Sequence, residues 1–154
     1  MSITKLSTAA VLAALIAMPA FAESVINITD PYARVATKHS KSGAAFMQIE
    51  NIGDEADKLI GVRSDVAMRI ELHTHIDAGD GVMQMRHIPE GFTISAGEAH
   101  MLQRGGDHVM LMGLNRTLQH GDMVQMILIF EKAGEITVDV PVDLKRKPKQ
   151  GHGH

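Results

Sequence analysis

Apolar residues recur along this chain mostly at every second position, in short runs broken by Gly, Asp, Asn and Pro. A period of two is that of an extended strand with one face buried. Eleven segments carry it: SVINIT (24–29), ARVAT (33–37), GAAFMQIEN (43–51), DKLIGVRS (57–64), AMRIELHTH (67–75), GVMQMRHI (81–88), FTISA (92–96), EAHMLQ (98–103), HVMLMGL (108–114), MVQMILIF (123–130) and EITVDVPV (135–142). IDAGD, PEG and RGGD between them are turn material. No window holds a long 3.6-residue stripe with helix caps. Many short strands at this spacing predict one all-β domain, an antiparallel sandwich or barrel.

The first 22 residues do not fit that pattern. MSITK carries a lysine, an apolar run follows, and Ala20-Phe21-Ala22 is a small-x-small site before Glu23. This is the layout of a secretory signal peptide cleaved after Ala22. The apolar run is short for a membrane span, so the mature chain is expected to have none. No cysteine follows it to carry a lipid. Without the leader, 132 of the 154 residues remain, enough for one domain with a core. Lys5 leaves with the leader, so 14 Lys and Arg face 18 acidic residues, a net charge near −4. That balance gives no support for nucleic-acid binding. The last ten residues, KRKPKQGHGH, read as a flexible basic and His-bearing tail.

Cysteine is absent. An exported chain without it has no disulfide, no thiol chemistry and no thiolate metal ligand. Methionine is abundant, with 11 in all. Its ordinary use is as a flexible core filler. Met47, and Met123 with Met126 in a nearly all-apolar run, read that way, as does Met112. Elsewhere methionine alternates with histidine. In HVMLMGL, His108, Met110 and Met112 share one face and Val109 and Leu111 the other. His73 and His75 share a face in ELHTH, and Met83 and Met85 share one in GVMQM. A hairpin across IDAGD brings these pairs together, and the Gly105-Gly106 turn delivers His108 and Met110. His39, His87, His100 and His120 lie near turns and read as solvated.

This donor set selects its metal. Zinc sites use Cys, His and carboxylate, while calcium and magnesium want oxygen. Blue-copper sites need a thiolate, but Cu(I) accepts thioether sulfur and neutral imidazole. A site that holds Cu(I) without a thiol and can release it describes a carrier.

The chain resembles the periplasmic copper chaperones of the PCu(A)C family. Their signature is a His, about ten residues, a Met, about twenty-one residues, then His-x-Met. Here it falls on His73, Met85, and the pair His108 and Met110, with eleven and 22 residues between them. GAAFMQIEN, GVMQMR and GGDHVMLMGL also match, over roughly residues 30–142. Thr74 stands where the signature has an optional Met, and Tyr32 where a tryptophan is expected. His75 and Met83 remain alternative ligands. The resemblance implies a cupredoxin-like Greek-key β-barrel or sandwich over 23–144, with Cu(I) near a surface edge. It implies a periplasmic chaperone that is not an enzyme. It also implies delivery to the binuclear copper site of cytochrome c oxidase, with subunit II or a thiol-bearing assembly factor as acceptor. In the tail, His152 and His154 are candidates for Cu(II).

Two rival readings stand beside the carrier. A copper-dependent enzyme is one, although H-E-x-x-H, G-x-S-x-G and a nucleophilic cysteine are all absent. A metal-free exported β-sandwich interaction module is the other. Imidazole binds metal only when neutral, so the carrier reading expects Cu(I) affinity to fall as pH drops through about 6.

Overall fold

The structure, a computed structural model, describes residues 23–148. The expected leader (1–22) and the end of the tail, with His152 and His154, lie outside the described residues. Ten strands follow one another: β1 (Ile26–Val35), β2 (Ser42–Asn51), β3 (Asp57–Arg63), β4 (Ala67–Asp77), β5 (Met83–His87), β6 (Phe92–Ile94), β7 (Ala99–Leu102), β8 (His108–Leu114), β9 (Met123–Phe130) and β10 (Gly134–Pro141). No helix occurs among the described residues. The first two segments expected from the pattern are one strand. Asp30-Pro31 reads as a breaker, but the chain passes it in a bulge, with Asp30 at φ 51 and register shifted between Thr29 and Tyr32. β1 is a sheet edge, where a missing N–H is tolerated.

The strands form two antiparallel sheets packed as a sandwich. One has the order β1-β2-β8-β4-β5, with β7 also paired to β2; the other runs β10-β9-β3-β6. The sheets do not close into a barrel; among the described residues a single isolated bridge, Ala33 to Val142, joins their edges. β2 divides its far side between two partners: Ser42–Ala45 pair with β8, and Met47–Glu50 pair with β7. The β7–β8 turn therefore sits over the middle of β2.

Alternation sorts the side chains. Ala45, Met47, Ile49, Leu72, Val109 and Leu111 point into the sandwich and meet Leu59, Val124, Met126, Leu128 and Phe130 of the other sheet. Each such Val, Leu, Ile, Met or Phe side chain contributes about 1.5–3 kcal/mol by leaving water. Met47 and Met126 are core, as the pattern predicts. Met123 is not: as the first residue of β9 it is exposed. Met112 is also outside the core, on the outer face, with its sulfur 3.5 Å from Arg69 Nη2.

Two buried polar residues tie the ends of the sandwich. Asn51 donates from Nδ2 to the Glu55 and Ile94 carbonyls and accepts the Gly53 N–H at Oδ1. Asp57, only 3% exposed, accepts the Ser24 hydroxyl and the N–H groups of Lys58, Lys132 and Ala133, at 2.7–2.9 Å. After β10 the chain crosses back over β1. Arg146 pairs with Asp30 and Asp143, stacks 4.1 Å over the Tyr32 ring, and its carbonyl accepts from Arg34.

Burial by itself would raise the Asp57 carboxyl. The bond from Ser24 and the three backbone N–H groups outweigh it and hold the group below its ordinary 3.8. A carboxyl depressed in the folded state stabilises the fold above its unfolded value. That contribution is lost as pH falls through the folded value. Asp57→Asn puts an amide NH₂ against backbone donors, and should cost about 2–3 kcal/mol of unfolding free energy. Urea unfolding at pH 7 measures this. The gap between the two proteins should narrow in acid, below the usual carboxylate range.

Candidate metal centre

The outer face of the larger sheet is where the alternation puts its chemistry. β4 and β8 pair so that His73 faces His108 and Glu71 faces Met110. β4 and β5 pair so that His75 faces Met85, His73 faces His87, and Asp77 faces Met83. All these residues lie on one face, with Ala44 and Phe46 of β2 beside them. The hairpin forms where the sequence places it and sets His75 opposite Met85, but it sets His73 opposite His87 and Met83 opposite Asp77.

A groove of about 400 Å³ opens on this face. His75, Met85, His108 and Met110 line it together, with Phe46, Arg34 and Arg104 at its walls. His73 does not line it, nor does Met83, which is exposed at the hairpin end. The His108 ring stands between the two β4 imidazoles, with centroids 5.8 Å from His73 and 5.2 Å from His75. Met85 is 55% exposed, so one thioether faces solvent.

The Gly105-Gly106 turn sets the imidazoles. Gly105 sits at φ 82, a conformation that favours glycine, and Gly106 N–H closes the turn on the Gln103 carbonyl at 3.0 Å. The Gly106 carbonyl oxygen then lies 2.9 Å from His108 Nδ1 and 3.2 Å from His75 Nδ1. A carbonyl only accepts, and has two lone pairs, so both rings carry hydrogen on Nδ1. In the neutral rings Nε2 is left with its lone pair. An imidazole that donates through one nitrogen and coordinates through the other is the usual arrangement at a metal. His73 is held differently. Its Nε2 lies 2.8 Å from Glu71 Oε2, and its buried Nδ1 has no hydrogen-bond partner among the described residues.

His108 is only 3% exposed. Burial lowers its imidazole below the ordinary 6.5; the bond to Gly106 raises it, the charges of His75 and His73 lower it further, and Asp107 raises it. The ring therefore stays neutral and ready to donate its Nε2 lone pair. Among the described residues no three His, Cys, Asp or Glu side chains stand together at metal-holding geometry. What the groove offers is two imidazoles and two thioethers, a soft set suited to a monovalent copper ion.

Two contributors to the site escape a reading of ligand spacing. Glu71 carries a signal, since a residue two before His73 in a strand must share its face. Gly106 acts through its backbone, and no side chain marks that role.

Comparison with known proteins gives the class first. The fold is that of the PCuAC domains. A copper-bound PCuAC domain from PmoF2 superposes with a TM-score of 0.64 at 26% identity, covering 82% of this chain and 98% of that one. The Cu(I) form of DR1885 from Deinococcus radiodurans superposes at 0.59 with 33% identity, over 78% of this chain and 80% of its own. Apo-DR1885 superposes at 0.60 with 27% identity, over 96% of this chain and all of its own. The chain belongs to the LpqE-like family, described as "Putative lipoprotein LpqE-like", whose profile matches residues 26–142. A curated relative, "Putative lipoprotein Lxx21020" from Leifsonia xyli subsp. xyli, is 34% identical over 99 residues. That match covers 64% of this chain and 59% of the relative's length.

The hydrogen-bond assignment makes a spectroscopic prediction. In the metal-free protein, nitrogen-15 NMR of the imidazoles should find His75 and His108 in the Nδ1–H tautomer. His108 should titrate below 6.5, and because its folded value is lowered, charging it in acid destabilises the fold. A His108 midpoint at or above 6.5 would contradict the buried, carbonyl-held ring.

Proposed function

We propose that this protein is an exported Cu(I) carrier that holds the ion between His75 Nε2, His108 Nε2 and the sulfurs of Met85 and Met110. The observation that carries the reading is the groove itself. Two thioethers and two imidazoles line one cavity, and one backbone carbonyl orients both rings. The solved PCuAC domains from PmoF2 and Deinococcus radiodurans, one copper-bound and one with Cu(I), support copper as the ion. The family signature would use His73. The groove favours His75, because Glu71 takes the His73 Nε2 while the Nε2 of His75 is free.

Cu(I) is cargo in this account. Soft ligands at low coordination number hold it without a thiol, and the exposed Met85 gives an acceptor a point of attack. An incoming thiolate can replace that thioether before the buried His108 lets go. The protein is read as a carrier rather than an enzyme, and the copper-bound PCuAC domains support that reading. Its acceptor is the binuclear copper site of cytochrome c oxidase subunit II, reached directly or through a thiol-bearing assembly factor. The periplasm is its compartment. The leader-like sequence and the lipoprotein description of the family support export. No helix among the described residues is long and apolar enough to cross a membrane.

Competition for Cu(I) against a colorimetric chelator, under reducing conditions, tests the site. The chain should bind one Cu(I), and His108→Ala/Met110→Ala should abolish competition. His75→Ala should weaken binding beyond the roughly 10–100-fold that loss of an outer-shell partner costs, with His73→Ala inside that range. The reverse order would return the ligand role to His73. No competition by the unmodified chain would end the carrier reading and leave the interaction module.

A further inference from the structure

Two arginines line the groove, Arg34 and Arg104, and no carboxylate does. Arg34 stands in one cross-strand row with the site: it pairs with Ala44, and Ala44 pairs with Met110. Arg104 immediately precedes the Gly105-Gly106 turn. Among the described residues neither guanidinium meets a carboxylate. Arg34 donates from Nη1 to the Arg146 carbonyl at 3.0 Å, and the Arg104 side chain makes no hydrogen bond. The carboxylates of neighbouring residues are engaged elsewhere. Glu71, opposite Met110, is taken by Arg69 and His73; Asp107 lies 2.9 Å from His100 Nε2; Asp77, at the hairpin end, accepts the Gly79 N–H. The β1–β2 side of the groove is basic throughout. Between Asp30 and Glu50 the chain has no acidic residue, and the exposed Lys38 and Lys41 sit in a loop whose ends, Ala36 and Ser42, line the groove.

Unpaired cations are a poor surrounding for a metal cation, because they repel it. They are a good surrounding for an arriving anion. The groove also has room beyond the ion: it measures about 400 Å³, where roughly 10–15 Å³ already admits a water-sized body. We propose that the groove mouth is the docking surface for a copper-accepting protein whose thiolate ligand is flanked by carboxylates, and that Arg34 and Arg104 receive those carboxylates. The proposal rests on the reading of the groove as the Cu(I) site. The chain as a whole carries a net charge of −3, so this basic rim is local and gives an acidic partner one face to approach. Val82, Met83 and Met85, each more than half exposed on the β4–β5 hairpin, supply apolar surface beside it. An apolar centre with a charged rim is the ordinary anatomy of a protein interface. In the exchange the thiol loses its proton to solvent, and its sulfur bonds to copper as the neutral Met85 thioether leaves. Copper remains Cu(I) and no electron moves. The complex gains one negative charge, which the guanidiniums offset.

The test follows transfer of Cu(I) from the loaded full chain to two peptides that share a central Cys-x-x-Cys and differ in flanks, three Asp in one and three Asn in the other. At low salt the Asp peptide should take copper faster by roughly tenfold or more. Arg104→Gln should remove most of that advantage, Arg34→Lys should keep it, and salt at about 1 M, where the screening length is about 3 Å, should abolish it. Comparing the two peptides on each variant cancels their own reactivity. Arg104→Gln should hold Cu(I) at least as tightly as the unmodified chain, since it removes a repelling charge. An Asp advantage that is absent, or that Arg104→Gln leaves intact, overturns the docking surface; so does a loss of Cu(I) affinity in that variant. An equal arginine-dependent gain for mercaptosuccinate over mercaptoethanol also overturns it, in favour of a free anionic thiol. Failure of the groove reading shows earlier, as a chain that does not load with Cu(I), and takes the docking surface with it.

Discussion

β8 is hydrogen-bonded on both flanks, to β2 through Ser42–Ala45 and to β4 through Ala67–His73. That double pairing is the constraint on which the site depends. A slip of one residue in either register would turn Val109 and Leu111 to solvent and drive His108 and Met110 into the core. The core prohibits it: Val109 and Leu111 are fully buried against the second sheet. The hydrophobic effect on one face of β8 therefore sets the chemistry on the other. No separate interaction has to place Met110 opposite Glu71, or His108 opposite His73.

The turn that starts β8 does the finer work. Gly105 in the left-handed region lets the chain reverse, and the Gly106 carbonyl that follows receives both His75 and His108. The strand register brings the rings to the same place; the carbonyl decides which nitrogen each one presents. Burial of His108 completes this by favouring its neutral form. On the far side of His108, Glu71 makes the equivalent decision for His73 and leads it away from the groove. Two histidines two residues apart on one strand thus meet different partners.

Much of this is legible in the residues. The period of two located nearly every strand, because one face of each is buried and the other is not. It split β1 at Asp30-Pro31, since a bulge leaves no pattern of its own. It placed Met123 in the core because an apolar run says nothing about where the buried part of a strand begins. The His and Met residues of the groove were all among the sequence candidates, because soft donors at period two are rare outside cores. Chain spacing did not separate His73 from His75, for a reason of geometry. Both share a face, and only the hairpin register, with His75 opposite Met85, tells them apart. The bonds that Glu71 and Gly106 accept depend on that same register and lie beyond the pattern.

X-ray absorption at the copper edge of the Cu(I)-loaded chain tests the central claim most directly, because it counts sulfur and nitrogen neighbours of the ion itself. The account predicts two sulfur and two imidazole nitrogen scatterers, with one sulfur lost in Met85→Ala and another in Met110→Ala. A shell of nitrogen and oxygen alone, unchanged in both variants, would place the copper elsewhere and contradict the groove as its site.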